Sequence, residues 1–204
     1  MKKRWFPLTA RLENKKLMKE NALLDAAFDL FTKLGVNSTT IDQIVKRAGV
    51  AKGTFYLYFK DKYDIRDMIV IRKTSVLLRD AILDARARSF ASRTDEVVCF
   101  ADYLIDHLAQ DKLLMRLIHK NLTFSLYQKV INDPVRGEKL REIVRGFTRD
   151  IRGTGYSEPE SPHLLFILLE MTGSVCYSSI IYNEPMPIDG IKPILLKTIR
   201  KILA

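Results

Sequence analysis

The chain has 204 residues and is poor in the residue types that carry most enzyme and metal chemistry: 2 cysteines, 3 histidines and 1 tryptophan. Cys99 and Cys176 lie far apart and lack CxxC spacing, which points to buried thiols over a disulfide or a metal pair. His107, His119 and His163 show no HExxH or other paired ligand spacing. There is no P-loop, and Gly153-Thr154-Gly155 is a fragment of a dinucleotide motif that follows a predicted helix instead of a strand. No Ser–His–acid or Cys–His pattern stands out. The sequence therefore predicts no enzyme, no catalytic residue, no metal and no cofactor. Long apolar runs are also missing. The longest, Leu164 to Leu169, is far below the roughly 18 residues a membrane span needs. The N-terminus lacks the apolar core of a signal peptide. The missing span predicts no membrane partner, and the two distant cysteines predict a cytoplasmic protein. No stretch alternates with period two between turn signals, so the expected fold is all-α.

Basic charge is what the chain has in excess. Its formal net charge is +10. Residues 1–60 hold 12 Lys and Arg against 5 Asp and Glu, whereas residues 61–204 hold 22 against 19. Such an excess at one end steers that end toward a polyanion. DNA, RNA and an acidic membrane all satisfy that condition.

The stretch from Thr39 to Lys62 narrows the choice. Thr40-x-x-Gln43 is a capping box, which satisfies orphan N–H groups at a helix start. Ile41, Ile44, Val45 and Ala48 then recur at helical spacing. Gly49 stands where a left-handed C-terminal residue is wanted. A second short helix is predicted from Ala51 or Lys52 to about Tyr58, with Phe55 and Phe59 facing inward beside Val50. Lys52, Gly53, Thr54, Tyr56 and Leu57 are left outside. Asp61 is the expected N-cap of the next helix, with Lys62 in its first turn. Lysines neutralise phosphates, hydroxyls donate to phosphate oxygens, and a glycine admits close approach of a groove wall. A hairpin packed only for structure is the alternative reading of the same pattern.

The residues from about Leu23 to Ile65 resemble the DNA-binding region of the TetR/AcrR family. The resemblance is carried by Ala26-Ala27, Leu30-Phe31, Gly35, Thr39 to Ile44, Ala48-Gly49-Val50, Lys52 to Tyr56, Phe59 and Lys62. It implies phosphate contacts from Thr40, Tyr56 and Lys62, and base-edge contacts from Lys52, Gly53 and Thr54. Ala51 departs from the serine often found there, which removes one phosphate donor. Tyr63-Asp64 replaces the more usual acidic pair. The resemblance also implies an N-terminal helix-turn-helix region of three helices, followed by a helical ligand-binding and dimerisation region.

The remaining chain fits that plan. Residues 1–13 are predicted to form a basic arm, 14–60 the helix-turn-helix region and 61–204 the second region. Helix one is expected from Asn14 to Leu34, and a long helix from Asp61 to about Ser89. Thr94 is the expected cap of a helix through Leu108, and Asp111 restarts the pattern to about Val130. A further helix is expected over about Val135 to Arg152. Arg141, Arg145, Arg149 and Arg152 make a basic stripe there, expected to be a solvated face. Ser161-Pro162 reads as a cap with proline in the first position. Leu164 to Tyr182 is apolar nearly all round, and a helix apolar on every side must be covered on every side. With the final helix, Ile191 to Ile202, it predicts a homodimer interface through Gly173, Val175, Ile180, Ile191, Leu195 and Ile199.

By resemblance, the middle helices surround a pocket for a small-molecule effector of unknown identity. Tyr103, His107, Met115, Tyr127 and Phe166 are candidates to line it, although aromatic residues at helical spacing also serve ordinary packing. Glu170 interrupts the apolar helix, and a buried carboxylate needs a partner. The expected function is a ligand-responsive regulator, a repressor that binds double-stranded DNA at a palindromic site. A ligand-independent architectural DNA-binding protein is the rival reading.

Overall fold

The computed structural model describes residues 8–121, 138, 141–142, 145–146, 157 and 160–203. Among these residues every regular element is helical. They are α1 (Leu8–Leu34), α2 (Ile41–Ala48), α3 (Lys52–Tyr56), α4 (Lys62–Arg86), α5 (Arg93–Gln110), α6 (Lys112–Asn121), α7 (Ser161–Tyr177) and α8 (Ile188–Ile202). A π-helical turn, Ser178–Tyr182, continues α7. The chain divides into two compact units, Met1–Ile69 and Val70–Ala204.

In the first unit the termini of the helices are defined by local chemistry. Helix α1 begins at Leu8, six residues before the expected Asn14, and stops at Gly35 with φ 82°. Thr40 and Gln43 form the capping box of α2: the Gln43 N–H donates to Thr40 Oγ1 at 3.3 Å, and the Thr40 N–H donates to Gln43 Oε1 at 2.8 Å. Gly49 closes α2 in the left-handed region, φ 68°. Asp61 Oδ1 accepts from the Tyr63 and Asp64 N–H groups at 2.7 and 2.9 Å, which caps α4. The core between these ends is Leu23, Leu24, Ala27, Phe31, Ile44, Phe55, Phe59, Ile65 and Ile69, all buried. The start of α4 belongs to this core through Ile65 and Ile69.

In the second unit one apolar cluster joins α4 to α8, with Leu77, Ala81, Ile105, Met115, Leu168, Cys176, Ile180, Leu195 and Ile199 among its members. Helix α8 is bolted to α5 by charge. Lys192 Nζ meets Asp102 and Asp106 at 2.8 and 2.5 Å, and Arg200 meets Asp95 at 2.5 Å. Burial works against the Lys192 charge, but these two hydrogen-bonded carboxylates outweigh it and raise its pKa. The Arg200 guanidinium, then the Ser92 hydroxyl, hold Asp95 below the usual carboxylate range. Burial pushes the Cys176 thiol up to about 12, so it stays protonated and inert.

Several expected boundaries move. Ser92, not Thr94, caps α5 by accepting from the Asp95 N–H at 3.1 Å. Thr94 instead donates to the Leu203 carbonyl at 3.2 Å. Helix α7 starts on Ser161 with Glu160 at its N-cap, and the Glu160 carboxylate folds back onto the Ser157 N–H at 2.8 Å. The 20-residue segment His163–Tyr182 contains an 18-residue window of mean hydropathy 1.8, long and apolar enough to cross a membrane by length and composition. Run length alone did not suggest that. Leu164, Leu165, Leu168, Cys176 and Ile180 of this segment are nevertheless buried in the chain itself. Its outer face is His163, Ile167, Glu170 and Ser174, all exposed at helical spacing. The helix is therefore covered on only part of its circumference.

Candidate nucleic-acid interface

Helix α3 is only five residues long, and it stays in place because Phe55 is buried without exposure beneath it and Phe59 is nearly so. The two rings lie 5.6 Å apart, and the Tyr56 ring meets Phe55 edge-on at 5.5 Å. With Phe55 pointing in, Lys52, Gly53 and Tyr56 are exposed and Thr54 is half-buried. Leu57 is 79% exposed, an apolar side chain with no role in the core.

Gly53 is informative because the chain makes no demand on it. A Cβ added there would meet no protein atom within 4 Å. Glycine in a helix costs about 0.5–1 kcal/mol relative to alanine, so its use at an open, exposed site is unexplained by folding.

Lys52 Nζ reaches back to Asp42 Oδ1 of α2 at 2.9 Å, and this hydrogen-bonded carboxylate raises the lysine's pKa. The pair pins Lys52 across the α2–α3 turn. Asp29 of α1 holds Lys33 at 2.8 Å and also contacts Arg47 of α2. The Lys33 hydrogen bond, ahead of other causes, lowers the Asp29 pKa. The α1–α2 pairing is thereby braced by charge behind the exposed surface. Thr40 is exposed, and its hydroxyl lies 3.1 Å from Gln43 Oε1. Lys62 is less available than the sequence suggests: its ammonium donates to the Asn37 and Thr39 carbonyls at 2.8 and 3.1 Å. The structure thus gathers Thr40, Lys52, Gly53, Thr54, Tyr56 and Lys62 around α2, α3 and the start of α4. The Asp42 partner of Lys52 and the backbone partners of Lys62 were missed. An acid ten residues before a lysine, across a turn, gives no periodic signal.

The expected effector pocket fares differently. Met115 is 1% exposed and belongs to the core cluster. Tyr103 and His107 stack at 3.9 Å, with His107 exposed on α5. Phe166 is half-buried, and Glu170 is exposed, which removes the reason for giving that carboxylate a buried partner. Tyr127, Arg149 and Arg152 lie outside the described residues. A cleft of about 570 Å³ opens near the α4–α5 connection beside Arg86, Arg88, Phe90, Ser92, Arg93 and Glu96, and contains none of the expected pocket residues.

The residues expected at the dimer surface divide between the single chain's core and its surface. Ile180, Leu195 and Ile199 are 3%, 4% and 1% exposed within the single chain, so they pack its own core. Gly173, Val175 and Ile191 are half-buried. The large apolar side chains these helices leave outside are Ile167, Tyr182 and Ile194.

A capped helix-turn-helix with an exposed second helix precedes a second helical region. Residues 23–68 match the model described as bacterial regulatory proteins, tetR family. The chain is 49% identical over 43 residues to the HTH-type transcriptional regulator AcrR of Shigella flexneri, covering 21% of this chain and 20% of that protein. It is 28% identical over 131 residues to the fatty acid metabolism regulator protein of Bacillus subtilis, covering 64% of this chain and 63% of the other. The chain therefore spans from a fifth to just under two thirds of these curated relatives. Among solved structures, FadR from Bacillus subtilis in complex with stearoyl-CoA aligns with a TM-score of 0.64 at 21% identity, over 90% of this chain and 98% of that one. FadR from Bacillus halodurans aligns with a TM-score of 0.64 at 18% identity, over 89% and 94%. These likenesses establish the fold.

Proposed function

We propose that this protein is a homodimeric, cytoplasmic transcriptional repressor that releases a palindromic DNA site when an acyl-CoA thioester binds its C-terminal region. The observation that carries the DNA half is the outer face of α3, with Lys52, Gly53 and Tyr56 exposed beside a half-buried Thr54, Gly53 being a glycine that nothing inside the chain requires. Lys52 and Thr54 offer donors to base edges, Gly53 lets the backbone approach the groove wall, and Thr40 and Tyr56 reach phosphates. Two such helices in successive major grooves need half-sites about 34–36 Å apart, or a multiple. The second copy is supported by Ile167, Tyr182 and Ile194, apolar side chains exposed on α7, its π-turn and α8. The effector class is supported by the fatty acid metabolism relative and by the FadR structure with stearoyl-CoA. A coupling of about 1–3 kcal/mol between the two sites is enough for control.

The test is selection of duplexes from a random pool by the purified full chain, followed by titration of the complex with stearoyl-CoA. The reading expects an enriched sequence with two-fold symmetry and its release by stearoyl-CoA but not by free coenzyme A. Failure to enrich any sequence defeats the DNA-binding half. Enrichment without release favours a ligand-independent protein or a different effector.

A further inference from the structure

Lys62 opens α4, where a basic side chain suits a phosphate, yet its ammonium is already engaged. Two of its three N–H donors go to the Asn37 and Thr39 carbonyls, at 2.8 and 3.1 Å. Those carbonyls belong to the turn that joins α1 to α2. The same turn is held from the inside. Thr39 is fully buried, and its hydroxyl donates to the Gly35 carbonyl at 2.8 Å. Gly35 itself sits in the left-handed region. The turn ends on Thr40, the N-cap of α2. At the other end of the contact the Lys62 backbone is fixed, because Asp61 caps the helix that Lys62 begins.

We propose that Lys62 is a positioning residue for DNA binding: its ammonium clamps the Asn37–Thr39 turn so that the exposed Thr40 is presented to a phosphate. This rests on the DNA-binding reading. Hydrogen bonds from an ammonium to carbonyls are charge-assisted and roughly twice as strong as neutral ones. They act on the one segment that sets where α2 begins. A phosphate contact and a clamp have different signatures. A lysine that neutralises a phosphate releases a counterion and adds about one unit to the salt slope of binding. A clamp acts through Thr40, whose hydroxyl is uncharged, and leaves that slope alone.

The experiment compares the full-length wild type with Lys62→Met, Thr40→Val and the double variant, on the duplex the wild type selects. Affinity is measured from low to high salt, and amide exchange is followed over residues 36–40. Lys62→Met is expected to bind about tenfold more weakly. Its salt slope should stay within about 0.3 of the wild type. Exchange at Asn37–Thr40 should speed up, and in the Thr40→Val background the loss should disappear. A slope lower by about one unit, with additive losses and unchanged exchange, overturns the clamp and makes Lys62 a phosphate contact. If Lys62→Met does not fold, Lys62→Arg keeps the charge. Weaker binding with faster exchange then supports the clamp, and full retention of both overturns it. A wild type that enriches no duplex defeats the DNA-binding reading itself, an outcome distinct from a bound wild type with an additive, slope-changing Lys62.

Discussion

The two units are both helical and held by different means. In the first, short helices are fixed by contacts near in sequence: Thr40 with Gln43, Gly49 at the end of α2, Asp61 with Tyr63 and Asp64. In the second, the fastenings are distant in sequence: Thr94 with the Leu203 carbonyl, Asp95 with Arg200, Asp102 and Asp106 with Lys192. Local fastening leaves a small unit able to present α3 on its outside. Distant fastening makes a larger core in which α5 and α8 depend on each other.

The sharpest break of that contrast is at Phe55, the buried ring under α3. Phe55→Ala should cost about 3–5 kcal/mol and remove exchange protection from α2 and α3, with little loss of protection at Ile105 or Ile199. Equal loss in both units, read by hydrogen exchange, would show that the local unit does not stand on its own fastenings.

Next in size is the outer face of α7. Ile167→Lys is expected to cost a dimer about 2 kcal/mol or more at each copy and to yield monomers in sedimentation velocity, with the monomer fold intact by circular dichroism. Ile180→Lys, by contrast, should unfold the second unit, since Ile180 is 3% exposed in the single chain. A dimer unaffected by Ile167→Lys would move the interface elsewhere.

A smaller effect belongs to the cap. Thr40→Ala should destabilise the first unit by about 1 kcal/mol in denaturant melts, because the Gln43 N–H loses its acceptor. The smallest effect tests a distant fastening. Asp95 titrates below its ordinary value in the folded protein, so its contribution is present above the unfolded pKa and fades as pH falls through the lower folded value. Asp95→Asn should therefore lower the melting temperature at pH 7, and the difference from wild type should vanish well below pH 4. A difference that persists in acid would assign the loss to packing instead of the Arg200 pair.

The same contrast explains what the sequence made legible. The capping box, the Gly49 end, the Asp61 cap and the inward Phe55–Phe59 pair were readable because each depends on residues within a few positions. Thr94 was expected to cap α5, but its hydroxyl goes to the Leu203 carbonyl, more than a hundred residues away, and Ser92 takes the cap. Ile180, Leu195 and Ile199 looked like interface because periodicity reports which face is apolar and leaves open whether this chain or a second copy covers it. Glu170 looked buried for the same reason: its neighbours in sequence are apolar, while its own face of α7 is open. Lys62 was read as a free cation because carbonyl partners carry no sequence signal.

If the outer face of α3 serves a partner outside the chain, a substitution at Gly53 separates binding from folding. Gly53→Ala should leave unfolding stability equal or up to about 1 kcal/mol higher, since alanine favours helix and the site is open. Its affinity for the duplex selected by the wild type should fall at the same time. The two measurements are expected to move in opposite directions. Unchanged affinity for DNA in a stabilised Gly53→Ala protein would contradict that partner role.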